Sequence, residues 1–182
     1  MTHEFFEERF STPTGEMRIL TDIEGRLHLA DWEGASDRQF ARRYGAQGYL
    51  IKRATWTTRA KAALEAYFAG DLAAIDRLET RTAGTLFQQE VWAALRRIPH
   101  GRKISYAALA ADIGRPAAVR AVGLANGANP IVIVVPCHRV IGADGSLTGY
   151  GGGLDRKRWL IDHERAGEGR AAAPTAPVLA LA

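Results

Sequence analysis

"ISYAALAADIGRPAAVRAVGLANGANP", Ile104 to Pro130, is the stretch whose reading decides the fold. Ser105 is a strong N-cap, and the residues after it support a short helix to about Asp112. Ile113-Gly114-Arg115-Pro116 then breaks the chain: the glycine is free to turn and the proline suits a helix's first turn. A second helix is predicted from Ala117, and the pair reads as a helix-turn-helix. This second helix is lean, carrying Ala117, Ala118, Ala121, Gly123, Ala125 and Gly127. Small side chains allow close packing against protein or close approach to a DNA groove, and Arg120 projecting from the helix favours the groove.

Upstream, "TLFQQEVWAALRRI" opens on Thr85 with Gln88 three residues on, a capping-box arrangement. Phe87, Val91, Trp92 and Leu95 share one face, and Pro99-His100-Gly101 ends the helix. Asp76–Gly84 is polar and aperiodic and reads as a linker. Before it, "FFEERFSTPTGEMRILTDIEGRLHLADW" gives short strands with hairpin turns at Thr14-Gly15 and Glu24-Gly25. The charged stretch Glu33–Arg43 is a helix or loop. "TTRAKAALEAYFAGD" is an amphipathic helix capped by Thr57 or Thr58, with Ala60, Leu64, Tyr67 and Phe68 apolar and Gly70 as its stop. The predicted class is α+β: a small β-sheet and helix domain over residues 1–80, then a mainly helical domain over residues 85–166. Residues 167–182 are Ala/Pro/Gly-rich and read as a disordered tail.

The net charge of +4 is unevenly spread: −2 over residues 1–80, +6 over 81–166, and zero in the tail. Such a basic segment is either a solvated surface or one that faces phosphates. A single cysteine excludes an internal disulfide and any zinc site with two cysteine ligands. The five histidines lack paired spacing, so no metal site is predicted, and no cofactor site either. No signal peptide or membrane span is expected, and the unpaired thiol suits a reducing compartment, which places the protein in the cytoplasm. Monomer is the default expectation.

The one cysteine lies in "PCHRV", Pro136–Val140, straight after the apolar run Ile131–Val135. A lone cysteine there is either a packing residue or a nucleophile. Pro136 ends any strand ladder, His138 and Arg139 are able to favour a thiolate, and the glycine-rich "GADGSLTGYGGG" leaves room for a flat ligand. A free thiol is only a few per cent ionised at neutral pH, so a nucleophilic Cys137 needs a base. His138 is its candidate, through a bridging water or a bend, because adjacent side chains in extended chain point apart. Glu164, Asp162 and Asp144 are candidates to orient the imidazole, Glu164 from a helix predicted over Asp155–Arg165.

These segments, with "FQQEVWAALRRIPHGRKISYAALAADIG" and "RAVGLAN", closely resemble the O6-alkylguanine-DNA alkyltransferases over about Thr85–Glu164. The resemblance implies a winged form of the helix-turn-helix, and duplex DNA containing O6-alkylguanine as partner. It implies Cys137 as alkyl acceptor, His138 as its base through a water, and Glu164 orienting His138. Asn129 would link the recognition helix to the active site. Tyr106 would help rotate the nucleotide and bond the base, and Arg120 would fill the gap left in the duplex, on a helix face that includes Ala121 and Gly123. Tyr150 and the Gly151 backbone would line the guanine pocket, with main-chain groups of Cys137 and Val140 reading the base edge. Leu86 stands where the family commonly has proline, and Lys103 where an acidic or polar residue is usual.

Three other classes compete. A cysteine hydrolase needs a histidine touching the sulfur, which an adjacent one is poorly placed to do. A non-catalytic lesion-recognition protein would not need Cys137. A DNA-binding regulator would use it only for packing.

Overall fold

A computed structural model describes residues 3–32 and 37–171, apart from the side chains of 37–39 and 168–171. Strands β1 (His3–Thr12), β2 (Gly15–Thr21) and β3 (Leu27–Trp32) form two antiparallel hairpins at the two turns marked in the sequence. Gly15 and Gly25 adopt φ of 119° and 78° there, backbone that costs glycine little. Part of the Glu33–Arg43 stretch lies outside the described residues, and helix α1 (Asp37–Tyr44) takes up the rest. Strand β4 (Tyr49–Arg53) adds parallel to β1, giving the order β3-β2-β1-β4. Helix α2 (Arg59–Phe68) is capped by the Thr58 side chain and buries Ala60, Leu64 and Tyr67.

The predicted linker is held firmly. Leu27 N donates to Glu79 O at 2.8 Å and Arg81 N to Leu27 O at 2.9 Å, so the segment runs along the outer side of β3. Further along that side, Ala30 N donates to Pro130 O at 3.0 Å and Val132 N to Ala30 O at 2.8 Å. The backbone groups that would make β3 an open edge are thereby used by the second half of the chain. One apolar cluster accordingly joins Met17, Ile19 and Tyr67 to Val91, Leu109 and Cys137, and the two halves share a core.

Helix α3 (Leu86–Leu95) carries the full capping box of Thr85 and Gln88. Strand β5 (Ile104–Ser105) leads into α4 (Tyr106–Asp112), whose N-cap is Ser105. Gly114 turns at φ 70°, and Pro116–Ala118 form a tight 3-10 turn. Helix α5 (Val119–Gly127) therefore starts two residues later than the predicted Ala117. Strand β6 (Val140–Ile141) pairs parallel to β5. Helix α6 (Leu154–Ala171) is longer than the predicted Asp155–Arg165 and takes in the first part of the stretch read as a disordered tail. Extending an existing helix adds a hydrogen bond for each residue fixed, which carries it past Gly167. Residues 172–182 lie outside the described residues.

Candidate active site

The connection from α5 to the thiol is an interior turn. The run Ile131–Val135 has the β-branched composition of a buried strand, and Ile131 does bridge to Ala30 of β3. The chain then doubles back: Val135 N donates to Ile131 O at 2.9 Å, and Ile133 adopts φ 72°. A β-branched residue in that region stores strain of about 1–3 kcal/mol. Burial of the whole run offsets it. Asn129 ties the turn from within: its Oδ1 accepts from Ile131 N (3.0 Å), and its Nδ2 donates to Val135 O (2.7 Å) and Cys137 Sγ (3.1 Å). After Pro136, Cys137–Arg139 form a 3-10 turn. Successive side chains there diverge by about 120°, not the half-turn of the extended chain assumed from sequence.

Cys137 is only 4% exposed. Burial pushes its thiol from 9.0 up to about 11; the Asn129 hydrogen bond and the Lys157 charge oppose the rise, and Asp31 adds to it. At pH 7 only about one molecule in ten thousand would carry the thiolate unaided, a cost of about 5 kcal/mol. A base is required.

His138 is fully buried, with Nε2 2.9 Å from Glu164 Oε1. The same oxygen accepts from Tyr67 Oη (2.9 Å) and Arg139 Nη2 (2.7 Å), while Oε2 accepts from Arg139 Nε (2.9 Å) and Gly101 N (3.0 Å). Burial alone would raise the Glu164 carboxyl, but His138, His100 and Arg139 outweigh it and hold the group well below the usual carboxylate range. An ionised Glu164 only accepts, so the proton of His138 sits on Nε2 and the lone pair on Nδ1. That Nδ1 is buried and bonds no other group among the described residues. Burial also lowers the His138 pKa against the pull of Glu164, leaving the imidazole neutral at pH 7. His138, next to Cys137 in the chain, is thus a neutral base with a free lone pair, and the thiol needs one. Asp162 pairs with Arg165 and Asp144 with Ser146, so among the three sequence candidates only Glu164 reaches His138.

Arg139, read from sequence as favouring a thiolate, points elsewhere. Its guanidinium bonds Glu164, Ile98 O and His100 Nδ1. It steadies the carboxylate behind the histidine.

A small cavity of about 50 Å³ beside Cys137 is lined by Asp31, Asn126, Asn129, Tyr150 and the glycines at 149, 151 and 152, among others. Tyr150 meets Trp32 of β3 edge-on at 5.9 Å. The Tyr150 hydroxyl and Asn126 Oδ1 are buried without partners among the described residues, so both can hydrogen-bond to a molecule entering here. Val140 is not part of this lining; its carbonyl accepts from Lys157 Nζ at 2.6 Å. Tyr106 starts α4 and faces Gly123, 3.9 Å from where a Cβ would stand. Arg120 and Ala121 are exposed on α5 with Leu124 and Gly127, as is Ala117 in the 3-10 turn before it, while Gly123 is half-buried.

Sequence reasoning missed Asp31, Tyr67, Lys157 and His100. A hydroxyl on the apolar face of α2 was a signal for Tyr67. Lys157, wholly buried with Nζ bonded to Val140 O and Thr148 O, was marked only by its helical spacing from Leu160, Ile161 and Glu164. No three of the His, Cys, Asp and Glu side chains among the described residues are grouped to hold a metal ion. No described helix is long and apolar enough to cross a membrane.

Residues 86–166, which hold the helix pair, the thiol and most of α6, match the family model described as 6-O-methylguanine DNA methyltransferase, DNA binding domain. That places the site-bearing half in a class of DNA-acting proteins. A methylated-DNA–protein-cysteine methyltransferase of Salmonella typhimurium is 53% identical over 161 residues, 87% of this chain and 94% of that one. One from Methanosarcina acetivorans is 42% identical over 155 residues, covering 85% and 95%. The crystal structure of Mycobacterium tuberculosis OGT in complex with DNA aligns with a TM-score of 0.72 at 38% identity, over 90% of this chain and 94% of that one. This chain belongs to the methylated-DNA–protein-cysteine methyltransferase family.

Proposed function

We propose that this protein repairs O6-alkylguanine in duplex DNA by moving the alkyl group onto Cys137, once per molecule. The observation that carries the reading is the buried thiol of Cys137 followed in the chain by a neutral His138 whose Nδ1 lone pair is left free by an ionised Glu164. The lesion is stacked inside a duplex, so the nucleotide must swing out, at a cost of a few kcal/mol. The lean face of α5 suits close approach to the groove, and Arg120 takes the place of the departed base. Tyr106 assists the rotation, and the stretch following β6 serves as the wing. The base enters beside Tyr150 and Gly151, with the main chain at Cys137 and Val140 at its edge; Asn129 couples α5 to the thiol.

The Cys137 proton passes through a water to His138 Nδ1, and Glu164 stabilises the imidazolium through Nε2. The thiolate attacks the alkyl carbon; the S–C bond forms as the C–O6 bond breaks, and the electron pair passes to the guanine, which takes up a proton. The product is a thioether, a poor leaving group, so the protein is spent. The reaction as written uses no cofactor and one chain. A compartment that holds DNA and keeps a thiol reduced, the cytoplasm, suits it.

The test is incubation with duplex DNA containing O6-methylguanine, followed by intact and peptide mass spectrometry with Cys137→Ala as control. One methyl per chain on Cys137, absent in the control, is expected. DNA binding without an adduct would overturn the reading in favour of lesion recognition alone.

A further inference from the structure

We propose that Tyr67 is a positioning residue for the alkyl transfer: through its hydroxyl, the N-terminal half of the chain sets how firmly Glu164 holds His138. The inference rests on the proposed role of His138 as the base for Cys137.

Tyr67 lies near the end of α2 and is fully buried. Its hydroxyl donates to Glu164 Oε1 at 2.9 Å, the oxygen that His138 Nε2 also meets at 2.9 Å. The ring is fixed by contact with Phe68 at 5.5 Å and His163 at 5.2 Å, and His163 Nε2 bonds the Tyr67 carbonyl at 2.8 Å. Hydroxyl and backbone of one residue therefore both grip α6, at Glu164 and at His163 just before it. The remaining charged or titratable groups at this carboxylate are Arg139, which bonds both oxygens, and His100, whose Nδ1 is 3.8 Å from Oε1. His100 in turn pairs with Asp76 at 2.8 Å.

Two donors on one oxygen compete for its charge. With the phenol in place, part of the Oε1 charge is drawn from His138, and the imidazole stays a weaker base that is neutral at lower pH. Without it, Oε1 holds the imidazolium more strongly, and the base form of His138 is lost at a higher pH. A tyrosine that merely packs would leave that pH unchanged.

The experiment follows alkylation of Cys137 by free O6-benzylguanine from pH 5.5 to 9, by intact mass, in the full chain. It compares wild type, Tyr67→Phe, His138→Gln and the double variant. Tyr67→Phe is expected to move the acid limb of the rate profile upward by about half to one pH unit, about three- to tenfold slower below the limb. The double variant is expected to behave as His138→Gln alone. Incorporating 3-fluorotyrosine at position 67, a stronger donor of unchanged shape, is expected to move the limb downward; should Tyr67→Phe fail to fold, this protein carries the test. Superimposed limbs for wild type and the altered proteins, with His138→Gln slow, would overturn the role of Tyr67 alone. Wild-type kinetics in His138→Gln would overturn the base assignment and this inference with it.

Discussion

Replacing Glu164 with glutamine removes a buried charge that answers five donors. Oε1 accepts from Tyr67, His138 and Arg139, and Oε2 from Arg139 and Gly101 N. Glutamine supplies one oxygen and one NH2, so whichever way it turns, its amide nitrogen faces an Arg139 nitrogen that can only donate. The orientation that keeps an acceptor for His138 puts the nitrogen at the Oε2 site, against Gly101 N and Arg139 Nε. Arg139, 4% exposed, then loses the carboxylate it pairs with among the described residues. Breaking a buried pair from one side costs about 3–5 kcal/mol. For a chain of this size that lowers the melting temperature by about 6–20 °C. The chemistry suffers separately, because His138 loses the anion that stabilises its protonated form. A positioned base contributes about 10²–10⁴ in rate, and the variant should forfeit most of that. Thermal unfolding by circular dichroism, and alkylation by O6-benzylguanine at a temperature where the variant is folded, measure the two effects. A melting temperature within about 2 °C of wild type together with a rate within about threefold would refute both the ionised state of Glu164 and the role of His138.

Arg120→Ala should slow repair of O6-methylguanine in duplex DNA by about tenfold or more, while reaction with free O6-benzylguanine stays unchanged; equal losses on both substrates would count against a role confined to the duplex. Gly152→Ala places a Cβ 2.8 Å from Trp32 and 3.0 Å from Tyr150. Displacing those rings should cost about 1–3 kcal/mol and slow Cys137 alkylation, and an unaltered rate would show that the Tyr150 wall is not part of the substrate pocket. Stability should also fall in acid. Burial lowers the pKa of both His138 and His28, so the stability each gives is present above about pH 6.5 and lost as pH falls. Glu164 and Asp76 raise His100, which acts in the opposite sense, leaving a net loss of up to about 1.4 kcal/mol per pH unit. Below about pH 4.5 the depressed Glu164 carboxyl adds a further proton to the loss. Urea midpoints between pH 8 and 4 measure this, and a flat curve would contradict the assigned charge states.

The elements that sequence made legible are those fixed by neighbours in the chain. The Thr85–Gln88 box, the Ser105 and Thr58 caps, and the glycine turns at 15, 25 and 114 need only a few consecutive residues to specify them. The Ile131–Val135 run misled because β-branched composition states a preference for extended backbone, while the interior turn is imposed by Asn129 and by burial. Pro116 had the right residue type for a helix start, yet a 3-10 turn intervenes before α5. At the site, Cys137 and His138 could be read because they adjoin, and Glu164 because a helix carried it within range. Tyr67 and Glu164 are 97 positions apart, and Asp31 reaches the thiol's cavity from the other half of the chain. Such pairings arise only from how the sheet and helices share their core.

The burial of Cys137 bears also on how the protein survives until it meets a lesion. An ordinary thiol ionises near 9, and this one near 11, so the resting protein exposes roughly a hundredfold less thiolate to whatever diffuses past. Peroxide, quinones and stray alkylating agents all react with the thiolate, and oxidation beyond the sulfenic acid is irreversible. A cysteine that serves once has no second chance if it is oxidised beforehand. A thiol that burial keeps protonated at rest holds an inherently reactive atom chemically quiet, at the expense of intrinsic speed.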